Sequence, residues 1–370
     1  MPEGNHRMET SLLTVIKNIY ESIADEQSKK IYESRLLYSL TGSYKFIDGV
    51  VSLSFKDIEV CKDILGKAFM DLSDDVVVYG AGHLGYILTV LCDMLRICAF
   101  CDSDTGRHGS MYNGYKVLSP HELKEKHSGS VIIIATAKEG NVADITEKLL
   151  GLGFDKDRIL DFHGLLQSNG INQFSFHETQ YFDPEIVLPI LLEDEVFIDA
   201  GCYDCHNSIQ FAKLCNNRYE KIIAFEPNPK QYSTCQHNST VIENFTLYKY
   251  GLWNENAKLS FINNNAAGNA HFSGMSGEDV IKIEAVRLDD ILNGEKASFI
   301  KMDVEGAELN ALKGAEKTIM NYHPKLAISL YHKPEDVWEI PAYILSLDNS
   351  YKLYLRHYSF YGSETVLYAV

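Results

Sequence analysis

Phe197-Ile198-Asp199-Ala200-Gly201-Cys202-Tyr203-Asp204 reads as a buried strand that ends in an acid and a glycine just before a helical stretch. Strand, tight turn and helix in that order are the punctuation of a parallel sheet whose ligands gather at the strands' carboxyl ends. The next apolar run, Ile222 to Phe225, ends in Glu226, followed by Pro227-Asn228-Pro229. An acid at the end of the second strand is placed to accept hydrogen bonds from both hydroxyls of a ribose, and it is costly to bury there without a ligand.

Outward from this pair the same rhythm continues. Strand-like runs FTLYKYG, LSFI, IKIEAV and SFIKMD lead to a helical pattern over 307–320, then KLAISLY, a helix near Ala342, and two closing strands in YKLYLRHY and TVLYAV. Toward the N-terminus a second, smaller series occupies Val76 to about Leu160. It holds VVVYG, a helix over 84–95, ICAFCD, a helix near Ser119, VIIIAT and a helix over 142–150. Residues 161–185, rich in Asn, Gln, Phe and His, break the rhythm. Leu12, Ile16, Ile19, Tyr20 and Ile23 recur at helical spacing, which predicts amphipathic helices that cover a domain or pair subunits as a homodimer. The expected fold class is α/β, with two Rossmann-like three-layer domains and an N-terminal helical extension. The expected boundaries are 1–72 for the extension, 73–170 for the smaller module and 171–370 for the larger domain.

The smaller series carries its own nucleotide-type signature. Gly80, Gly82 and Gly85 form a G-x-G-x-x-G that follows a strand and opens a helix, the context in which such a loop cradles a phosphate. Asp102 ends the next strand, where an acid meets a ribose. Either this second site binds a nucleotide, or its glycines serve only helix–strand packing. The segment resembles small Rossmann modules attached to bacterial glycan-modifying enzymes.

Composition narrows the classes. The chain has 370 residues, 45% of them hydrophobic and 23% charged, enough apolar surface for two cores. A formal charge of -17 without any Lys/Arg-rich block argues against nucleic acid as a partner. No signal-peptide pattern and no membrane-length apolar run stand out, which predicts a cytoplasmic protein with no membrane span. Cys98 with Cys101 and Cys202 with Cys205 have C-x-x-C spacing, but each pair lies at or beside an expected buried strand. Reduced structural thiols are therefore expected rather than zinc ligands.

Five blocks in order, FIDAG, IIAFEPNP, VRLDDI (286–291), FIKMDVEGAELNALKGA (299–315) and ISLYHKPEDVWEIP (328–341), resemble the FkbM family of methyltransferases from about Val187 to the end. The resemblance implies a class I methyltransferase fold and an S-adenosylmethionine-dependent O-methyltransferase acting on a hydroxyl of a glycan, glycolipid or secondary-metabolite precursor. It implies cofactor contacts from Asp199, Gly201, Cys202, Tyr203, Glu226, Pro227, Asn228, Gly251, Leu252 and Asp303, with Trp253 as a wall for the adenine. One departure is Cys205, where the family usually has glycine.

Within this frame His332, just after a strand, is the expected base, with Asp303 and Glu305 orienting the acceptor hydroxyl. The alternative for these three is to hold a divalent cation. Glu308 fits a helix cap or a functional role equally well, and Lys301 is expected to pair with a carboxylate. Tyr331 is expected to pack, and Arg356 and His357 to reach the cleft rim or solvent. Competing functions are an NAD(P)-dependent oxidoreductase built on the first glycine loop, or a non-catalytic protein whose modules only bind nucleotides.

Overall fold

The computed structural model describes residues 11–43, 45–54, 58–70, 72–136, 139–168, 180–262, 271–272, 280–359 and 362–370. In it the apolar spacing at the N-terminus closes into capped helices. Helix α1 (Leu12–Ser22) starts at Ser11, whose hydroxyl accepts from the Thr14 amide. Helix α2 (Glu26–Thr41) starts at Asp25, whose carboxylate accepts from Ser28 N, and stops at Gly42 in the left-handed region at φ 66°. Helices α3 (Lys45–Ser54) and α4 (Ile58–Ala68) follow. The chain divides into two compact units, Met1–Val50 with Phe176–Val370, and Val51–Ser175. The expected extension 1–72 is thus split at residue 50. The expected boundary at 170 falls in 169–179, outside the described residues.

The smaller unit contains β1 (Val76–Tyr79), α5 (His83–Leu91), β2 (Ile97–Cys101), β3 (Met111–Tyr112), β4 (Tyr115–Leu118), α6 (Pro120–His127), β5 (Val131–Ile134), α7 (Glu139–Gly151), β6 (Ile159–Asp161) and α8 (Phe162–Ser168). Its sheet runs β3-β4-β2-β1-β5-β6, parallel except for the β3–β4 hairpin. The order reverses at β1, so the glycine loop that follows β1 sits at the switch point of the sheet.

The larger unit continues with β7 (Val196–Ala200), α9 (His206–Leu214), β8 (Lys221–Phe225), α10 (Pro229–Asn238), β9 (Phe245–Tyr248), β10 (Gly251–Leu252), β11 (Ala257–Ile262), β12 (His271–Phe272), β13 (Val280–Val286), α11 (Leu288–Leu292) and β14 (Phe299–Met302). It closes with α12 (Glu308–Gly314), α13 (Glu316–Tyr322), β15 (Lys325–Ser329), α14 (Asp336–Leu347), β16 (Leu353–His357) and β17 (Thr365–Ala369). Seven strands form one sheet in the order β16-β17-β15-β14-β7-β8-β9, with β17 antiparallel to both neighbours and β15, β14, β7, β8 and β9 mutually parallel. This is the expected α/β class in its methyltransferase arrangement. The order reverses between β7 and β14, which opens the ligand crevice at their carboxyl ends. Strands β10–β13 build a separate four-stranded sheet.

Period-two alternation divides the core by face. Ile198, Ile223, Ile300 and Ile328 join one apolar cluster with α12, α13, α14 and the N-terminal helices. Phe197, Ile222, Phe299 and Ala327 join the other, with Phe211 of α9 and Phe182. The N-terminal helices therefore cover this sheet within the chain: Ile19, Ile31 and Tyr32 are buried in the first cluster. Ala24 N donates to Leu353 O (2.9 Å), and Arg356 on β16 pairs with Asp25 (3.0 Å).

The single helix expected over 307–320 breaks at Ala315. A side chain at Gly314 would meet the Trp253 carbonyl at 2.0 Å, so this turn packs against backbone and the axis resets after it.

Candidate active site

The loop after β7 is shaped by backbone that enters the left-handed region repeatedly: Gly201 at φ 77°, Tyr203 at 51° and Cys205 at 65°. Gly201 is required twice over, because a Cβ there would stand 1.8 Å from the Asp303 carbonyl oxygen. The Gly201 and Cys202 amides donate to Phe225 O (3.0 and 3.1 Å), which ties the loop to the end of β8. Lys301 Nζ donates to Gly201 O (2.7 Å) from below and lies 3.1 Å from Asp199 Oδ1. Ser208 Oγ donates to Asp199 Oδ2 (2.7 Å). Asp199 is thus fully buried beneath the loop and acts on it through Lys301.

Glu226 lies beside this loop. Its Oε2 accepts from Tyr203 N (3.0 Å) and its Oε1 from Asn228 N (2.8 Å). Burial raises its carboxyl to about 7, with the two amides pulling the other way. Asn228 caps α10 through Lys230 N (3.0 Å), and Pro229 occupies the first helical turn. Gly251 and Leu252 are buried in β10, and a Cβ at Gly251 would lie 3.9 Å from Pro227 Cβ, so the second and third strands converge here. Trp253 follows, its amide bonded to Val286 O (2.9 Å).

Across the crevice, the ends of β14 and β15 carry four ionisable groups. His332 Nδ1 is 3.0 Å from Glu308 Oε1, while Nε2 is 3.4 Å from Glu305 Oε2 and 3.5 Å from Asp303 Oδ1. Burial opposes charge on the imidazole, but Glu308, Glu305 and Asp303 together hold its pKa well above the usual value. The three carboxylates thus favour the protonated form of His332. Burial alone would lift Asp303, yet His332, Lys301 and a hydrogen bond from Tyr181 hold it below the ordinary carboxylate value. Glu305, at φ 55°, is shifted the other way, upward, chiefly by burial. Glu308, the first residue of α12, accepts from Val304 N (2.9 Å) in the turn before the helix and faces His332.

Several side chains stand elsewhere than expected. Arg356 and His357 reach neither the cleft rim nor solvent. Arg356 is buried against Asp25 and Asp183, and His357 is buried with Nδ1 2.8 Å from Thr365 Oγ1, because β16, an edge strand, is covered by the N-terminal helices. Tyr331 does more than pack, since its hydroxyl lies 3.4 Å from both Asp303 oxygens. Tyr181 went unnoticed in the sequence: its hydroxyl donates to Asp303 Oδ2 (2.7 Å) and contacts Ser329 Oγ (3.0 Å). It lies in the stretch that reads as a break between domains, and no local spacing links it to Asp303.

In the smaller unit the glycines divide by role. A Cβ on Gly80 would meet Ala135 O at 2.5 Å and one on Gly85 would meet Gly80 O at 2.2 Å, so both serve close packing. Gly82 has open space at the start of α5. Asp102 accepts from Ala81 N (2.8 Å) and Asp104 N (2.9 Å), and Arg107 donates to Ala81 O, so the loop is braced by its own chain.

Residues 199–358 match the family model described as the methyltransferase FkbM domain. This segment is similar to methyltransferase FkbM domains. Residues 72–160, ahead of it, match the model described as C2185-like, N-terminal. The chain is similar to 2-O-methyltransferase NoeI of Sinorhizobium fredii, with 26% identity over 155 residues, 36% of this chain and 63% of the relative. It is also similar to hexuronic acid methyltransferase AglP of Haloferax volcanii, with 31% identity over 137 residues, 35% of this chain and 53% of the relative. The chain thus spans less than two thirds of the length of either relative. A crystal structure of methyltransferase FkbM from Methylobacillus flagellatus superposes with a TM-score of 0.49 at 18% identity, over 85% of this chain and 98% of that one.

Proposed function

We propose that the chain is an S-adenosylmethionine-dependent O-methyltransferase that modifies a hydroxyl of a glycan, with a uronic-acid-containing sugar as the first acceptor class to test. The observation that carries this reading is the carboxylate–imidazole cluster of Asp303, Glu305, Glu308 and His332, set at the switch point of the sheet beside Gly201 and Glu226. The two relatives support the sugar, one being named a 2-O-methyltransferase and the other a hexuronic acid methyltransferase.

The donor set fits the cofactor. Glu226 is a buried carboxylate whose partners are two backbone amides, which leaves lone pairs for a ribose diol. The Gly201–Tyr203 turn would hold the amino-acid portion through its backbone, and Gly251, Leu252 and Trp253 would border the base. When bound, the cofactor supplies a methyl group on a sulfonium.

The residues of the chain orient the acceptor and take its proton. As the oxygen–carbon bond forms and the carbon–sulfur bond breaks, the hydroxyl proton must leave the oxygen. His332 is the base expected from the sequence; the carboxylates around it favour its protonated form, so on this reading the proton goes to Glu305 instead. The Glu305 carboxyl is raised above its ordinary value, chiefly by burial, is 30% exposed, and lies against His332. His332 steadies the ionised carboxylates, and Asp303, fixed by Tyr181, orients the hydroxyl.

A divalent cation held by Asp303, Glu308 and His332 is the competing arrangement, since their ligand atoms lie within 4.8 Å of one another. Full activity after exhaustive chelation excludes it. In the smaller unit, the open start of α5 at Gly82 favours a second, nucleotide-binding role for residues 72–160. Calorimetry with S-adenosylhomocysteine and with NAD, on the wild-type chain and Glu226→Ala, tests the main reading. Binding of S-adenosylhomocysteine that Glu226→Ala abolishes is expected. NAD binding alone overturns the reading.

A further inference from the structure

The methyl-transfer reading leaves three buried thiols unused. Cys202 and Cys205 lie in the loop after β7, and Cys235 comes to them from α10. Cys202 Sγ is 3.4 Å from Cys235 Sγ and 3.9 Å from Cys205 Sγ, and all three sulfurs lie within 4.8 Å of one another. The residues are 0–2% exposed and walled by Ala224, Phe245 and Leu247.

We propose that Cys202, Cys205 and Cys235 form a site for a single soft, thiolate-seeking metal ion of the Cu+ or Zn2+ type.

Metal–sulfur bonds of about 2.3 Å in a plane place three sulfurs about 4 Å apart, so the trio closes on an ion with shifts of a few tenths of an ångström. A soft closed-shell ion is the class such a donor set selects. Among the described residues no side-chain nitrogen or carboxylate joins the three sulfurs, which suits three-coordinate Cu+ directly. Zn2+ prefers a fourth donor, and the Tyr203 carbonyl, 3.0 Å from Cys235 Sγ, is the one at hand.

A second observation points the same way. Cys205 has φ 65°, a left-handed conformation that disfavours a side-chain-bearing residue and that glycine adopts freely. Packing alone gains little from a cysteine here, whereas a third thiolate is what completes the site. Binding would release the thiol protons to solvent and would join the loop after β7 to α10, so it also sets the frame in which Glu226 holds the Tyr203 amide.

The test uses the full chain, reduced, stripped with a chelator and kept anaerobic, then titrated separately with Cu+ and with Zn2+ against competing chelators. Metal content and X-ray absorption are read on the wild type, Cys205→Gly, Cys235→Ala and Cys98→Ala. Cys205→Gly suits the local backbone and so keeps a folded control, verified by its melting curve. The expected result is one equivalent of metal in a sulfur shell, lost in Cys205→Gly and Cys235→Ala and kept in Cys98→Ala. Uptake of Cu+ alone with three sulfurs supports the three-coordinate form, and uptake of Zn2+ with an added oxygen supports the four-coordinate one. No tight uptake of either ion, or uptake that survives both Cys205→Gly and Cys235→Ala, overturns the proposal.

Discussion

Lys301 and Asp199 are register partners on adjacent strands β14 and β7, and Lys301 Nζ lies 3.1 Å from Asp199 Oδ1 with both side chains buried. The same ammonium donates to Gly201 O, so one buried ion pair carries the loop that is proposed to meet the cofactor.

Removing one partner strands the other charge in the interior. Lys301→Met is expected to lower stability by about 3–5 kcal/mol in urea titrations, and Lys301→Met with Asp199→Leu to recover part of that loss. A double variant no more stable than the single one contradicts a penalty from the stranded charge.

Glu226 gives a pH signature. Its carboxyl titrates at about 7 in the fold against 4.5 as an ordinary glutamic acid. A raised acid contributes stability that is complete below the unfolded value and is lost as pH rises through about 7. Ribose hydroxyls that donate to the ionised form reverse that preference. S-adenosylhomocysteine is therefore expected to bind more tightly as pH rises through about 7 and to release a proton there. Calorimetry in buffers of different ionisation enthalpy reads both effects, and Glu226→Gln removes them.

Glu305 and His332 set opposite limbs of the rate profile. Both groups are shifted upward, so activity is expected to rise with pH as Glu305 ionises and to fall in alkali as His332 loses its proton. Glu305→Gln should cut kcat by roughly 10²–10⁴-fold with cofactor affinity little changed. An acidic limb that persists in that variant assigns the proton to another group.

Two glycines separate packing from binding. Gly201→Ala adds a methyl group where the Asp303 carbonyl stands, at a φ of 77°, and is expected to abolish S-adenosylhomocysteine binding and lower the melting temperature. Gly82→Ala meets nothing within 4 Å and should leave the melting temperature nearly unchanged. A large loss of stability there assigns Gly82 to packing as well.

Much of the larger unit was legible because its signals are local. Apolar runs of strand length, the acid–glycine end of β7, Glu226 after β8 and the Asp303–Glu308 block lie within a few residues of the turns they specify. The break at Ala315 was not legible, because Gly314 beside it packs on the Trp253 carbonyl, 61 residues away in the chain. Arg356 and His357 read as rim residues for the same reason: only the pairing of β16 with β17 and with the N-terminal helices puts them inside.

By itself, then, the sequence determined the order of strands and helices and the two series, since hydrophobic period and turn chemistry act over a few residues. Tertiary structure alone decided the proton inventory of the site and the company of its side chains. His332 is pushed toward its charged form because Glu308, Glu305 and Asp303 converge on it. Tyr181 reaches Asp303 from 122 residues away, and Cys235 joins two thiols 30 or more residues before it. Electrostatic and hydrogen-bond energies depend on separations of a few ångströms in space, and spacing along the chain does not encode them.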